Sequence, residues 1–316
     1  MDQSFKKQLL IDFGTVLGSY AVLFALQKSG VINTYWQGIL LVVCINVILT
    51  VSLNVTSGFL GELALGHAGF MAIGAYLSAF ISKSLPLIPA LEFPVAILIG
   101  GLSAMAAGYI VAIPTLRLRG DYLAIITLAF GEIIRNILKN LTLFGGTKGY
   151  PNIPAYTTFT WAFFGAALCV LAAKSLIASR HGRSIISVRE DEIAAEASGV
   201  NTNRYKILAF VFSAFFAGVA GALYAHYIRF LQPSVFTLDK SIEILVMVVL
   251  GGMGSIRGSI ISATVLTVLP ELLRSFSDYR MLMYSIVLIV MMLAKHSASG
   301  RIMFRPAGDK TQEAET

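Results

Sequence analysis

The segment WQGILLVVCINVILTVSLNVT, residues 36–56, contains 21 residues and no charged side chain. An α-helix needs about 20 apolar residues to cross the hydrocarbon core of a bilayer, so this segment predicts a membrane-spanning helix. Comparable runs recur along the 316-residue chain, which is 56% hydrophobic and 13% charged, whereas soluble domains carry about a quarter charged residues. The runs do not alternate between apolar and polar residues as membrane β-strands do. We predict an all-α, polytopic membrane protein that forms a single domain over residues 1–316.

About ten helical segments are predicted from the apolar runs. The eighth and ninth runs are too short to cross a bilayer alone, and GGMGSIRG, residues 251–258, separates them. The distribution of Lys and Arg favours a re-entrant pair here with both termini cytoplasmic, and two full crossings stay open as the alternative. A disordered tail is predicted from about residue 305. The segments lie near residues 9–27, 36–56, 59–81, 93–115, 121–141, 158–179, 206–228, 241–253, 258–273 and 280–296.

Several other functions are disfavoured by the residues present. The net charge of +7 comes with basic residues near the ends of apolar runs, where they set membrane orientation, so no nucleic-acid partner is predicted. Cys44 and Cys169 lie inside apolar runs and are interpreted as packing residues. The four histidines lack the spacing of metal ligands. We predict neither a metal site nor a catalytic residue.

Small residues recur every four positions in the seventh apolar run. Gly218 lies on one such row and Gly221 on the next, and both rows continue with alanines. Small residues let the backbones of neighbouring membrane helices approach closely. This pattern predicts that the helix packs tightly against its neighbours.

The segment at about residues 180–205 is unusually polar and contains REDEIAAEASGVNTNRY, residues 189–205. Ser187 and Glu190 have the spacing of a capping box, so a short helix is predicted to begin there. Gly199 is predicted to end that helix in the left-handed conformation. The helix would present a small apolar face that suits docking into another protein. A solvated loop with helix caps stays open as the alternative.

Four blocks of the chain, in order, resemble the LivM-type branched-chain amino-acid permeases, which are subunits of bacterial ABC importers. In such permeases the pattern Glu-Ala-Ala-x-x-x-Gly marks a coupling helix. Ala194 and Ala195 match the alanines, but Ile193 occupies the glutamate position, which leaves Glu192 or Glu196 as the acid. The four blocks are LNVTSGFLGELALGHAGFMAIGAY (residues 53–76), LRLRGDYLAIITLAFGEIIR (116–135), GRSIISVREDEIAAEASGVNTNRYKILAFVFSAFFAGVAGALYA (182–225) and MVVLGGMGSIRGSIISA (247–263).

The resemblance implies a type II-like permease fold in the bacterial inner membrane and several partners. These are a second, homologous permease, two cytoplasmic ATPase subunits that hold ATP and Mg, and a periplasmic binding protein. The permease itself would bind no cofactor. The implied substrates are branched-chain amino acids, and close relatives import urea or short amides. The residues implied in ATPase coupling are Ser187, Glu190, Asp191, Glu192, Ala194, Ala195, Glu196, Gly199 and Arg204.

A second group of residues could line the transport pathway. Glu62 is an acid within a predicted span, which is costly and therefore raises a functional hypothesis, with a structural contact to a neighbouring helix as the alternative. Glu132 lies on a polar stripe with Arg135, and the glycines of residues 251–258 could form a tight turn or direct helix N-termini at a substrate. The candidate pathway residues are Asn54, Gly58, Glu62, Gly66, His67, Glu132, Gly251, Gly252 and Gly254.

Three classes of function are compatible with a polytopic helical protein. An importer subunit would need ATPase partners, in agreement with the lack of a Walker motif in this sequence. A proton-coupled secondary transporter would use Glu62 and His67 as a relay. A membrane-embedded enzyme has little support from the scattered histidines. The first class is the prediction.

Overall fold

The computed structural model describes residues 33–84, 89–115 and 121–273, and also residues 14, 18, 20, 285, 286 and 289. Residues 1–267 form one compact unit and residues 268–316 a second. Most of the predicted spans near 9–27 and 280–296, and the whole tail from residue 305, lie outside the described residues. The side on which the termini lie and the single-domain organisation stay predictions.

The long described elements are all helices, as the apolar runs predicted. Short 3₁₀ turns occupy Thr142–Phe144, Gly146–Lys148 and Pro233–Val235. The helices are α1 (Thr34–Asn54, continued by the π-helical segment Val55–Leu60), α2 (His67–Ser84), α3 (Pro89–Thr115), α4 (Asp121–Asn140), α5 (Phe159–Ala178), α6 (Arg180–Glu190), α7 (Glu192–Ala197), α8 (Thr202–Ile228), α9 (Leu238–Gly251) and α10 (Ile256–Leu272).

Four stretches within the described residues are long and apolar enough to cross a membrane: Thr34–Leu60, Leu91–Pro114, Phe159–Ala178 and Thr202–Ile228. They confirm the membrane class that the sequence predicted. By contrast, α9 has 14 residues, which at 1.5 Å each gives about 21 Å, less than the roughly 30 Å of a bilayer core. The predicted shortness of this segment is therefore confirmed.

The chain leaves the helix between α1 and α2, where a continuous run over 59–81 was predicted. Gly61 has a left-handed backbone with φ of +86°, which glycine adopts without a steric penalty. Residues 61–66 have no regular structure, and α2 begins at His67. At the end of this non-helical segment, a Cβ on Gly66 would overlap the backbone of Thr127 in α4. The predicted span near 59–81 is therefore interrupted, because the two glycines allow a turn and a close approach.

This non-helical segment, residues 61–66, is called the link below. The four-residue spacing of Asn54, Gly58, Glu62 and Gly66 would place them on one row of a continuous helix, and the link prevents this. Asn54 and Gly58 lie before the link, whereas Glu62 and Gly66 belong to the link itself. Glu62 is therefore free of helical geometry and can point away from the other members of the predicted row.

Helices α2, α3 and α8 pack through backbone contact. A Cβ on Gly74 of α2 would overlap the backbone of Gly218 in α8, and a Cβ on Gly218 would lie 2.5 Å from the carbonyl oxygen of Gly100 in α3. One turn further along α8, a Cβ on Gly221 would overlap the carbonyl oxygen of Met71. The close packing predicted from the small-residue rows is confirmed, and it places α8 at the centre of the unit.

Candidate functional site

The short helix α7 begins with a cap that the sequence did not predict correctly. Asp191 has an extended backbone, and its carboxylate accepts hydrogen bonds from the N–H groups of Ile193 (2.9 Å) and Ala194 (3.0 Å). Ser187 lies inside α6, where its hydroxyl donates to the carbonyl of Ser184 at 2.9 Å. The predicted capping box of Ser187 and Glu190 is therefore wrong, because α6 continues through Glu190 and Asp191 provides the cap one residue later.

The end of α7 follows the prediction. Gly199 has a left-handed φ of +83°, and the N–H of Val200 donates to the carbonyl of Ala195 at 3.0 Å. Asn201 then caps α8 by accepting from the N–H of Arg204 at 3.1 Å. These bonds fix the turn between α7 and α8 with only two residues of non-helical chain after Gly199.

The two candidate acids of α7 have different partners. The carboxylate of Glu196 accepts from the hydroxyl of Thr202 at 2.7 Å, which closes the α7–α8 turn. Glu192 forms an ion pair with Lys206 in the first turns of α8, at 2.9 Å. Of the two acids that the sequence left open, Glu196 thus stabilises the α7–α8 turn, and Glu192 contacts the start of α8 through Lys206.

One side of α7 is open to solvent. Ile193 is 69% exposed, whereas Ala195 is 5% exposed and anchors the helix. Ala194 and Ala197 are also exposed. A large apolar side chain with small alanines beside it gives a shallow apolar surface, which is the shape expected of a helix that docks into another protein.

Lys206 joins α7 to the link between α1 and α2. Its ammonium lies 2.8 Å from Oε1 of Glu62 and 2.9 Å from Oε1 of Glu192, and its side chain is only 5% exposed. Glu62, which the sequence placed on the pathway or in a structural contact, therefore makes an ion pair that connects the link to α7 and α8.

A second cation, from the polar segment at about residues 180–205, reaches the same region. Arg189, in the last turn of α6, donates to the carbonyl oxygen of Gly58 at 2.9 Å. Its side chain also lies against Gly61 and Gly254, where a Cβ would approach it to 2.9 Å and 3.0 Å, respectively. Arg189 therefore contacts the backbone at both interruptions, the one after α1 and the one between α9 and α10.

Sequence reasoning missed Lys206 and Arg189. Lys206 is the only Lys, Arg, Asp or Glu in the predicted span 206–228, and its position at the start of that run suggested an interfacial residue. A cation at the start of an apolar run can equally be buried if a carboxylate pairs with it. That signal, together with the unexplained acid Glu62, was present in the sequence.

The two interruptions are joined by Asn54, which is fully buried. Its amide nitrogen donates to the carbonyl of Ser255 (3.1 Å) and the hydroxyl of Ser259 (2.9 Å), and its amide oxygen accepts from the N–H of Gly254 at 2.9 Å. A Cβ on Gly58 would overlap the backbone nitrogen of Gly254. We call this contact between residues 54–58 and 251–259 the joint.

The glycines predicted as pathway residues have packing roles in the joint. Gly252 and Gly254 have positive φ angles of +99° and +81°, which form the tight turn between α9 and α10. A Cβ on Gly251 would lie 2.6 Å from the carbonyl carbon of Gly258 across the same turn. Of the two interpretations left open by the sequence, these contacts match the tight turn.

His67 and Glu132, two further pathway candidates, have partners other than that of Glu62. His67 is buried, and its Nε2 lies 3.1 Å from the hydroxyl of Ser52. Glu132 pairs with Arg135 on α4 and borders a small crevice between α4, the start of α2 and the start of α9. Glu62 and His67 thus have different partners, which gives no support to a direct proton relay between them.

The joint leads to a prediction about stability. Replacing Asn54 with leucine leaves the part-buried N–H of Gly254 without its acceptor and the buried hydroxyl of Ser259 without its donor, and a buried polar group that loses its partner costs about 1–3 kcal/mol. We expect Asn54→Leu to lower the free energy of unfolding by about that amount, measured by thermal denaturation in detergent. Asn46→Leu is the matched control, because Asn46 makes one side-chain bond among the residues that the structure describes, to Thr267 at 2.8 Å. An equal effect of both replacements would contradict the role of Asn54 in the joint.

Comparison with known proteins places this geometry in a family. Residues 35–295 match the family model described as branched-chain amino acid transport system / permease component. The chain is 39% identical over 284 residues to the high-affinity branched-chain amino acid transport system permease protein LivM of Escherichia coli K12, and to that of Salmonella typhimurium LT2. These alignments cover 79% of this chain and 66% of each relative, so the chain spans just under two thirds of their length.

A second kind of relative matches a shorter part. The chain is 29% identical over 126 residues to the permease protein LivH of Salmonella typhimurium, an alignment that covers 39% of this chain and 41% of LivH. The family model covers far more than half of the sequence and agrees with the helical membrane fold. The chain belongs to the family of branched-chain amino acid transport system permease components.

Proposed function

We propose that this chain is the membrane-spanning permease subunit of an ATP-driven importer that carries branched-chain amino acids across the bacterial inner membrane. The observation that carries the proposal is the path from an exposed helix to the membrane helices. Ile193 on α7 offers an apolar surface to a partner, and Glu192 on the same helix is fastened through Lys206 to the link. The chain would supply neither a catalytic residue nor a cofactor site.

The partners follow from this role. Two cytoplasmic ATPase subunits would bind ATP and Mg, and α7 would dock on one of them. The names LivM and LivH, both carried by permease relatives of this chain, support a second homologous permease as the heterodimer partner. A periplasmic binding protein would deliver the amino acid. Both termini would lie in the cytoplasm, as the distribution of basic residues predicts.

Transport would then be a shift between two conformations. ATP binding closes the ATPase subunits, which moves α7, and the membrane helices open toward one side of the membrane. A ligand can shift such an equilibrium only by as much as its affinity differs between the two states. Here the ligand is ATP, which would bind more tightly to the closed ATPase subunits than to the open ones. The closed subunits would hold α7 in a different position, and this couples the affinity difference to the membrane helices.

Two other functions are tested by the experiment described in the next paragraph. An importer for urea or short amides would have the same architecture and a different substrate. A proton-coupled secondary transporter would use a relay of Glu62 and His67, whose separate contacts to Lys206 and Ser52 disfavour it.

We expect the complex of this chain with its permease, ATPase and binding-protein partners to hydrolyse ATP faster when leucine is added. The test is ATPase activity and uptake in reconstituted vesicles, with leucine, urea and a short amide compared at equal concentrations. If only urea or the amide stimulates ATP hydrolysis, that compound is the substrate instead of leucine, and the proposal of an ATP-driven importer remains. Uptake driven by a proton gradient by this chain alone would refute the importer.

A further inference from the structure

Lys206 is the residue at which three elements meet. It lies in the first turns of α8, while Glu192 is the first residue of α7 and Glu62 is the second residue of the link. The ammonium contacts one oxygen of each carboxylate, at 2.8 Å and 2.9 Å. In the described residues, the other ion pairs with distances of 3.0 Å or less join residues three apart on one helix, Glu132 with Arg135 and Lys240 with Glu243. Lys206 differs because its partners belong to different elements.

Burial makes this bridge costly to break. The side chains of Lys206, Glu62 and Glu192 are 5%, 16% and 25% exposed. Charge pairs shielded from water are screened little by salt, and separating them leaves charges that water cannot easily solvate. The bridge therefore favours concerted movement of α7, the start of α8 and the link.

The link between α1 and α2 is the segment to which the Lys206 bridge would transmit a movement of α7. It lacks regular structure and begins with the left-handed Gly61. Oε2 of Glu62 is buried and has no hydrogen-bond partner among the residues that the structure describes. Lys206 is thus the group that holds this carboxylate, and through it the first residues of the link.

We propose that Lys206 is a positioning residue that transmits movement of α7 to the link, so that the membrane helices follow the state of the ATPase partners. The inference deepens the proposed function and rests on it. When a partner draws α7 away, Glu192 moves Lys206, and Lys206 moves Glu62 at the point where α1 has already lost its helical geometry. The adjacent joint, where Arg189 also binds, receives the same displacement.

The first test separates the two halves of the bridge. Glu62→Gln removes the negative charge from the contact to the link, and Glu192→Gln removes it from the contact to α7, so each leaves at most a neutral hydrogen bond to Lys206. The measured quantity is the ratio of amino acid imported to ATP hydrolysed by the reconstituted complex. We expect each variant to lower this ratio about fivefold or more, the lower end of common coupling effects. Lys240→Met is the matched control, because Lys240 pairs with Glu243 at 3.0 Å within one helix, and its ratio should equal that of the unmodified complex.

The second test keeps the experiment informative if a single replacement fails to fold. A buried carboxylate without its cation can destabilise the whole protein. The triple variant Glu62→Gln, Glu192→Gln, Lys206→Met removes all three charges together and retains side chains of similar size. We expect it to fold and assemble but to show the same lowered ratio. Adding Lys206→Met to the double glutamine variant should lower the ratio little further, because both ion pairs of Lys206 are already lost.

The third test measures the movement itself. Leu63, next to Glu62 in the link, is 39% exposed, whereas the native Cys44 and Cys169 are buried. In a Leu63→Cys background, we expect the rate of maleimide labelling to differ between the nucleotide-free complex and the complex trapped with ATP and vanadate. The triple variant should abolish that difference. A residue that served folding alone would leave the difference intact in every variant that assembles.

The outcomes distinguish the two proposals. If the unmodified complex shows no ATP-driven import, the proposed function is refuted. If that complex imports and both glutamine variants keep its ratio, the role of Lys206 is refuted while the importer stands. A nucleotide-dependent labelling difference that persists in the triple variant would refute the role of Lys206 in the same way.

Discussion

Replacing Gly221 with leucine is expected to abolish recovery of the folded protein. Gly221 lies where α8 meets α2, and a Cβ there would overlap the carbonyl oxygen of Met71 and lie 2.9 Å from the nitrogen of Ala75. Neither neighbour is a flexible side chain, so the helices must separate. Overpacking a well-packed interior costs about 1–3 kcal/mol per insertion and more where backbones collide, which is a large part of a stability of about 5–15 kcal/mol.

The helix cannot relieve this collision by sliding, because Gly218 one turn earlier holds α8 against α2 and α3. A Cβ at Gly218 would lie 2.5 Å from both the carbonyl oxygen of Gly100 and the side chain of Ala104. Movement of α8 away from Met71 would therefore disturb contacts to two helices at once. The measurement is the yield of monodisperse protein in detergent, followed by thermal unfolding of what is recovered.

A matched pair of alanine variants gives the control. Gly221→Ala brings a single methyl group against backbone, and we expect it to lower the melting temperature. Gly165→Ala on α5 places its methyl group 3.1 Å from Cδ1 of Leu223 and 3.5 Å from Cδ1 of Ile48, which are ends of flexible side chains. Alanine also favours a helix over glycine by about 0.5–1 kcal/mol, so Gly165→Ala should be neutral or slightly stabilising. Equal losses at both positions would argue against backbone contact as the cause.

The fold was predictable where one physical effect dominated. Apolar runs of about 20 residues determined the long helices, and the rows through Gly218 and Gly221 predicted which helix is packed most closely. The link was predictable only in part, because its glycines permit a break while residues 59–81 are apolar enough to continue a helix. Its formation depends on the close approach of Gly66 to Thr127 on α4, a contact between residues 61 positions apart that no local pattern reveals.

The site was predictable only in part for a similar reason. Gly199 and Asn201 act through neighbouring backbone groups, so their roles could be read from the local sequence. The capping box failed because Ser187 and Asp191 both suit a cap, and only the continuation of α6 to Glu190 selects Asp191. Lys206 has partners 144 and 14 positions away in Glu62 and Glu192, and sequence spacing carries no information about the longer pairing.

Replacing Gly199 with valine is expected to lower import while leaving membrane insertion unchanged. Gly199 has a φ of +83°, and a Cβ on this residue would meet nothing within 4 Å. The effect of the replacement is therefore confined to the backbone. A non-glycine residue in the left-handed region costs roughly 1–2 kcal/mol, which corresponds to a factor of about 5–30 in the population of the native α7–α8 turn. A β-branched side chain lies at the upper end because it is stiff.

Gly199→Asn separates this backbone effect from the loss of glycine as such. Asparagine tolerates the left-handed conformation, and the open space around Gly199 admits its side chain, so we expect nearly normal import. The measurements are uptake by the reconstituted complex and affinity of the permease for its ATPase partners, both referred to the amount of assembled permease. Import by Gly199→Val equal to that of Gly199→Asn would mean that the conformation at residue 199 does not set how α7 meets its partner. A fall in import with unchanged ATPase affinity would instead locate the defect in transmission through Glu192 and Lys206.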